Sequence, residues 1–208
     1  GNNIIRVDVS AQAFLDPKHS YLRFKYTNTA GNTAGFDFAG GHGFIRRLRI
    51  EQAGNVLSDV NHYNRLMGAI VLPCQGGLDS VAHRSITEGQ RFANVRAINQ
   101  SMTPVQTAAE ISGSIGNTPV GSSEVVTAGG ATPSYTFSIP LLNGLLGTTQ
   151  DKMVPLQMLG SSPLTIEIEL ADANDIGQYG GALVAPTYTI DDVRYIAQLV
   201  EVGPEVDA

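Results

Sequence analysis

A chain of 208 residues, 42% of them hydrophobic, is long enough to bury one full core and suits a single large β domain. Charged residues make up only 15% against a typical ~25%, while 23 glycines and 10 prolines favour short strands joined by turns over a helical fold. One cysteine, Cys74, excludes an internal disulfide framework and a cysteine-based zinc site, and no run approaches the ~20 apolar residues of a membrane span.

The first residues lack the basic-then-apolar order of a signal peptide, so a soluble chain is expected, and an opening on Gly1 fits a processed form or a fragment. The net charge of −6 is unevenly spread. Residues 1–103 carry 11 basic and 7 acidic side chains, whereas residues 104–208 carry 2 and 12. Such a split either orients identical subunits through complementary patches, places one end near a polyanion, or is an uneven solvated surface.

In chain order, Ile5, Val7 and Val9 alternate with polar neighbours and predict a first strand. Asp16-Pro17 reads as a turn, and Leu22, Phe24 and Tyr26 then share one face of a second strand. Residues 27–43 are loop-like in composition, interrupted by Phe36 and Phe38. Phe44, Leu48 and Ile50 form the inner face of the next strand, which Arg46 breaks, and Ala53-Gly54-Asn55 turns the chain into a short second arm at Val56-Leu57. Asp59 is placed to cap a helix whose apolar stripe is Tyr63, Leu66, Met67 and Ile70, stopped by Pro73. Short strands are expected over 80–86 and 92–98. Residues 107–134 lack the large side chains that offset backbone ordering and read as an exposed insertion.

The clearest periodicity comes late. Leu164, Ile166, Ile168 and Leu170 alternate with Thr165, Glu167 and Glu169, which predicts a strand with one buried and one wet face. It follows a strand at 135–139 and a connection carrying two apolar patches, each entered by a proline: Pro140, Leu141, Leu142, Leu145 and Leu146, then Pro155 and Leu156. A Gly-rich connection over 171–186 leads to a closing strand around 188–202 that is apolar on both faces and expected to be covered on both. The fold class expected is all-β: an antiparallel jelly-roll β-sandwich over residues 1–208 with one short amphipathic helix and one helical connection.

No arrangement of residues demands catalysis. His19, His42, His62 and His83 are scattered, and Cys74 follows a helix instead of opening one. Gly40-Gly41-His42-Gly43 precedes a strand, which fits a plain turn and no phosphate loop. Asp191-Asp192 and the pair Glu167/Glu169 read as solvated faces. Arg46, Arg47 and Arg49 make a small basic run without stacking aromatics in an acidic chain, which argues against nucleic-acid binding as the main role but leaves weak contact with a packaged genome open. No enzyme activity, cofactor or metal is expected.

Five segments together resemble the first jelly roll of the double-jelly-roll major capsid proteins of icosahedral viruses. They are Asn2 to Val9 leading to Phe14-Leu15-Asp16 and Tyr21 to Phe24, the hairpin Ile45 to Val56, Ser58-Asp59 through His62-Tyr63, the stretch from Ile139-Pro140-Leu141 through Val154-Pro155-Leu156 to Leu170, and Val193 to Val202. The resemblance implies a structural virion protein, assembled inside a host cell into trimeric or pseudo-hexameric capsomers with copies of itself and with other capsid proteins. Under it, the Pro140–Leu146 and Pro155–Leu156 patches fill either the sandwich end or a subunit contact, and 107–134 is an outward loop. The family carries two jelly rolls on one chain. One roll here fits a half, a single-roll relative or a vertex protein. The reading from another class is a non-catalytic β-sandwich that binds a carbohydrate or a protein, which needs exposed aromatics that this Trp-free chain has little means to supply.

Overall fold

In a computed structural model, the described residues are 3–29, 33–36, 39–74, 84, 87–89, 134–147, 152–160, 162–180 and 187–201. The strands expected at 80–86 and 92–98 and the insertion at 107–134 fall outside them, save Arg84 and Ser134. Two antiparallel sheets face each other. The first has the order β1 (Ile4–Val9), β8 (Leu164–Leu170), β4 (Ile45–Gln52), β5 (Asn55–Asn61). The second has the order β10 (Tyr188–Val200), β2 (Phe14–Asn28), β6 (Ser134–Ile139), with β7 (Val154–Pro155) also beside β2. A ribbon of β3 (Thr33–Phe36) and β9 (Gly177–Gly180) completes the strands. The chain crosses between sheets after β1, β2, β5, β7 and β8, the connectivity of a jelly-roll sandwich.

Alternation accounts for the core. Ile166 and Ile168 of β8 meet Ile50 and Leu48 of β4 in register, and all four are at most 1% exposed. From the other sheet, Leu22, Phe24 and Tyr26 of β2 pair with Ile139, Phe137 and Tyr135 of β6. Phe44 sits where they converge, its ring centroid 5.8, 5.4 and 5.1 Å from those of Phe24, Phe137 and Tyr26.

Several local expectations are corrected, each for a physical reason. Asp16-Pro17 does not end a strand: β2 runs through it, with Pro17 to Ser20 looped out opposite Ala197 alone, where proline's missing N–H costs nothing. The Asp16 carboxylate accepts the Lys18 N–H (2.9 Å) and the Ser20 hydroxyl donates to the Asp16 carbonyl (2.6 Å). Turn chemistry is present, but within the strand. Arg46 does not break the inner face of β4, because a bulge between Ile45 and Arg47 moves it out of the alternation. The second hairpin arm is seven residues and not two, and Asp59 lies within it, held by Arg47, instead of capping a helix. Part of the presumed loop 27–43 is β3, and 171–186 contains a helical turn, Ala173–Ile176, and β9.

The helical segment begins at Tyr63 behind His62, which takes a left-handed φ of 53°, and runs as Tyr63–Leu66, Met67–Val71 and Leu72–Cys74. Its middle is a wide π-type turn. That extra residue shifts the inward face from Ile70, which is 58% exposed, to Leu72, so Tyr63, Met67 and Leu72 are the buried apolar positions, with Asn64 buried beside them. On β10, Tyr188, Ile190, Val193, Tyr195 and Ala197 turn toward the core. It is an edge strand, so its other face, expected to be covered, exposes Ile196 and Arg194.

Candidate functional site

One end of the sandwich is closed by the 3₁₀ turn Gly40–Phe44, the helical segment 63–74 and the turn Ala173–Ile176. Three polar side chains are buried within it. The Leu142 N–H donates to the Tyr63 phenol oxygen (3.1 Å), which lies 3.3 Å from His42 Nδ1, while His42 Nε2 lies 3.3 Å from a Glu88 carboxylate oxygen. Because a carboxylate only accepts, the Nε2 proton goes to Glu88, and in the neutral imidazole this leaves Nδ1 to accept from the Tyr63 phenol. Burial pushes the Tyr63 phenol up, the Leu142 N–H opposing. His42 and Tyr63 are both fully buried and Glu88 is 7% exposed, so this arrangement ties elements together in the interior. Residues 46 apart carry it, and no spacing in the sequence marks it.

The outer face of the first sheet is the second built feature. Arg6 donates to Glu167 through Nε (2.8 Å), Arg49 Nη1 lies 3.9 Å from the other Glu167 oxygen, Arg46 approaches Glu169 at 3.5 Å, and Arg47 grips Asp59 in a two-point contact. Glu167, expected on a wet face, is 8% exposed because arginines on both neighbouring strands lie beside it. The arginines of 46–49 are thus occupied by carboxylates. Asp191 precedes a bulge on β10 and Asp192 lies within it, where Asp192 accepts from Arg194 (2.6 Å). His19 lies 2.7 Å from Asp16, whose carboxyl this contact holds below its ordinary value, and His62 stands before the helix.

The leucine patches separate. Leu141, Leu146 and Leu156 are in the core, while Pro140, Leu142, Leu145 and Pro155 are half-buried. Residues 141–147 form a loop fastened by Asn143, whose side-chain oxygen accepts the N–H groups of Leu145 (2.9 Å) and Leu146 (2.7 Å). This loop covers the side of the sandwich between β5 and β6, since Leu142 reaches Tyr63 and Gly144 lies against Ser58. Pro155 and Leu156 belong instead to the opposite end, where the 3₁₀ turn Leu156–Leu159 is the helical connection.

That opposite end carries a groove of about 230 Å³ among the described residues, between residues 9–12 and 156–162, with Val9, Ala11, Leu156 and Leu159 as its apolar walls. Met158 beside it is 73% exposed, and at the hairpin tip Leu57 is 48% and Val56, on the outer sheet face opposite Glu51, 47% exposed. Leu57 is exposed because a bulge between Ile50 and Glu51 leaves it without a partner on β4. The turn residues Ala53 and Gly54 both take positive φ, as a tight two-residue hairpin requires. Among the described residues there is no group of three metal-ligating side chains, and no helix long and apolar enough to cross a membrane.

No known family's sequence pattern matches the chain, and no curated protein matches it in sequence. Among solved structures it is similar to PBCV-1 VP54, in a crystal structure fitted into a cryo-EM reconstruction of the virophage Sputnik. Identity is 12% and the TM-score 0.49, with 98% of this chain and 40% of that chain covered. This chain therefore spans less than half of that one.

Proposed function

We propose that this chain is a structural virion protein: a single jelly-roll domain that assembles with copies of itself, and with other capsid proteins, into trimeric or pseudo-hexameric capsomers of an icosahedral shell. It works without catalysis or a cofactor. The observation that carries the reading is the way polar chemistry is used. His42, Glu88 and Tyr63 are buried, and the arginines of the first sheet's outer face are occupied by carboxylates, so among the described residues the built polar features hold a rigid block. The sequence resemblance supplies the kind of assembly.

A carbohydrate-binding sandwich is disfavoured by the aromatics. Phe24, Tyr26, Phe44, Tyr63 and Phe137 are buried, and among the described aromatic side chains only Tyr21, at 37%, counts as exposed. Sedimentation velocity and negative-stain electron microscopy of concentrated protein test the proposal. Symmetric multi-subunit particles are expected, and a monodisperse monomer at every concentration would overturn it. Specific hits on a glycan array would favour the other reading.

A further inference from the structure

We propose that the Asp16–Pro17 peptide bond is a self-cleavage site, at which the Asp16 carboxylate attacks its own main-chain carbonyl and releases Pro17 as a new N-terminus. It is the one Asp–Pro bond in the sequence. The bond opens the segment Pro17–Ser20, which loops out of β2 opposite Ala197 alone. One oxygen of the Asp16 carboxylate accepts the Lys18 N–H (2.9 Å), and the other lies 2.7 Å from His19 Nδ1. The Ser20 hydroxyl donates at 2.6 Å to the Asp16 carbonyl, which is the carbonyl of the bond to be cut. Ser20 is 2% exposed and accepts the Gln198 N–H (2.9 Å). A carbonyl has no proton to give, so the proton between Ser20 and Asp16 is the hydroxyl's.

Each part matches what the chemistry needs. An ionised carboxylate is a nucleophile, and its attack on the carbonyl carbon of the same residue closes a five-membered ring, so the reacting groups are already held together. The Ser20 hydroxyl sits where the carbonyl oxygen gathers negative charge, and a fixed donor in a buried place stabilises that charge more than water does. Proline makes the leaving group, because its nitrogen belongs to a tertiary amide and departs as a secondary amine. In the step, a bond forms from an Asp16 carboxylate oxygen to the Asp16 carbonyl carbon, and the carbon–nitrogen bond to Pro17 breaks. The Pro17 nitrogen takes the proton that His19 carries in as an imidazolium. The cyclic anhydride that results is opened by one solvent water, leaving Asp16 as a C-terminus. The His19 contact also holds the Asp16 carboxyl below its ordinary value of 3.8, which keeps the nucleophile ionised under mildly acidic conditions. From the facing strand, Ala197 and Gln198 lie opposite the loop and Tyr195 reaches Ser20, none of them charged, and Lys18 lends Asp16 only its N–H, so the cation that bears on Asp16 is His19.

The cut happens once per chain and is not turnover, and it does not depend on the shell reading. It would leave residues 1–16, with β1, held to the rest by strand pairing alone. Intact-mass spectrometry and N-terminal sequencing of the full chain, kept at neutral pH and at about pH 5, where folded proteins stay near their most stable, test it. Fragments 1–16 and 17–208 are expected, with Pro17 as the new N-terminus, forming faster at the lower pH. Asp–Pro bonds have a chemical lability of their own, so the same incubation in denaturing urea is the deciding comparison. The folded chain should be cut about tenfold faster or more, and Ser20→Ala should lose about that factor. His19→Gln should flatten the rise toward acid, and Asp16→Asn should stop the cut. Thermal midpoints report whether the variants keep the fold, and the comparison with urea stands whether or not they do. No fragments, equal rates for folded and unfolded chain, a folded Ser20→Ala cut at the parent's rate, or a folded His19→Gln with the parent's pH profile would each overturn the step.

Discussion

The two ends of the sandwich are built from similar residues and come out opposite. At the closed end, glycines let backbones approach and the polar groups of His42, Tyr63 and Glu88 satisfy one another in the interior. At the groove end, the 3₁₀ turn Leu156–Leu159 buries Leu156 but leaves Met158 outside, and the hairpin tip leaves Val56 and Leu57 outside. The first arrangement turns polar chemistry into rigidity, and the second leaves apolar surface unspent. The proposed shell role would need both, because a contact surface keeps its shape only if the block behind it does not relax.

The largest expected effect would break the closed end. Tyr63→Ala removes a fully buried aromatic ring together with its hydroxyl links to Leu142 and His42, and should cost about 3–5 kcal/mol in chemical denaturation. Tyr63→Phe separates the two contributions. It keeps the ring but strands the Leu142 N–H and a buried imidazole nitrogen, a loss of about 1–3 kcal/mol, with faster hydrogen exchange at the Leu142 amide. Equal stability of Tyr63→Phe and the parent chain would show that the polar chain contributes nothing. Next comes Gly40→Ala. Gly40 has a φ of +54°, and a Cβ there would lie 2.2 Å from the Glu88 carbonyl oxygen, so a loss of at least about 1–3 kcal/mol is expected from strain alone. Gly54→Ala, at the groove end, has a φ of +80° but nothing within 4 Å, so its cost should be the backbone penalty without the clash.

How much of this was readable beforehand also divides by region. The strand at 164–170 was legible because its neighbours on both sides impose the same alternation that its residues carry. The hairpin arm was not, since Asp59 is an equally good helix cap until Arg47 of the facing strand claims its carboxylate. Ile70 was misplaced because helical spacing of 3.6 residues does not foresee a π-type turn, and Arg46 because a bulge cancels its parity. At the site itself, the leucine patches were legible as apolar but not as two separate places, because the loop 141–147 turns on the Asn143 side chain while Pro155 hands the chain to β2. The His42 chain was invisible for a different reason. It is assembled from four segments, and nothing local to any of them requires the others.

A smaller effect separates the sheet faces that join the two ends. The Asp59 carboxyl is held below its ordinary value of 3.8, first by its hydrogen bond to Arg47, and Asp16 is held low first by His19. A carboxyl whose folded value is depressed keeps its stabilising contribution above the unfolded value and loses it as pH falls through the folded one. Thermal midpoints should therefore fall as the pH drops below 3.8, and Asp59→Asn should fall less steeply over that window. An unchanged acid profile in Asp59→Asn would mean that the Arg47 contact is exposed enough to be worth nothing.

The smallest expected effect on stability is the one that sharpens the contrast most. Met158 is 73% exposed, so Met158→Ala removes almost no buried surface from the single chain and should change its unfolding free energy by no more than about 0.5 kcal/mol. Measured at a concentration where the chain is monomeric, the denaturation midpoint should be unchanged. A concentration-independent difference between the two would place Met158 in the fold after all. A difference that appears only on association, which adds to stability by mass action, would separate what holds the block together from what it presents to others.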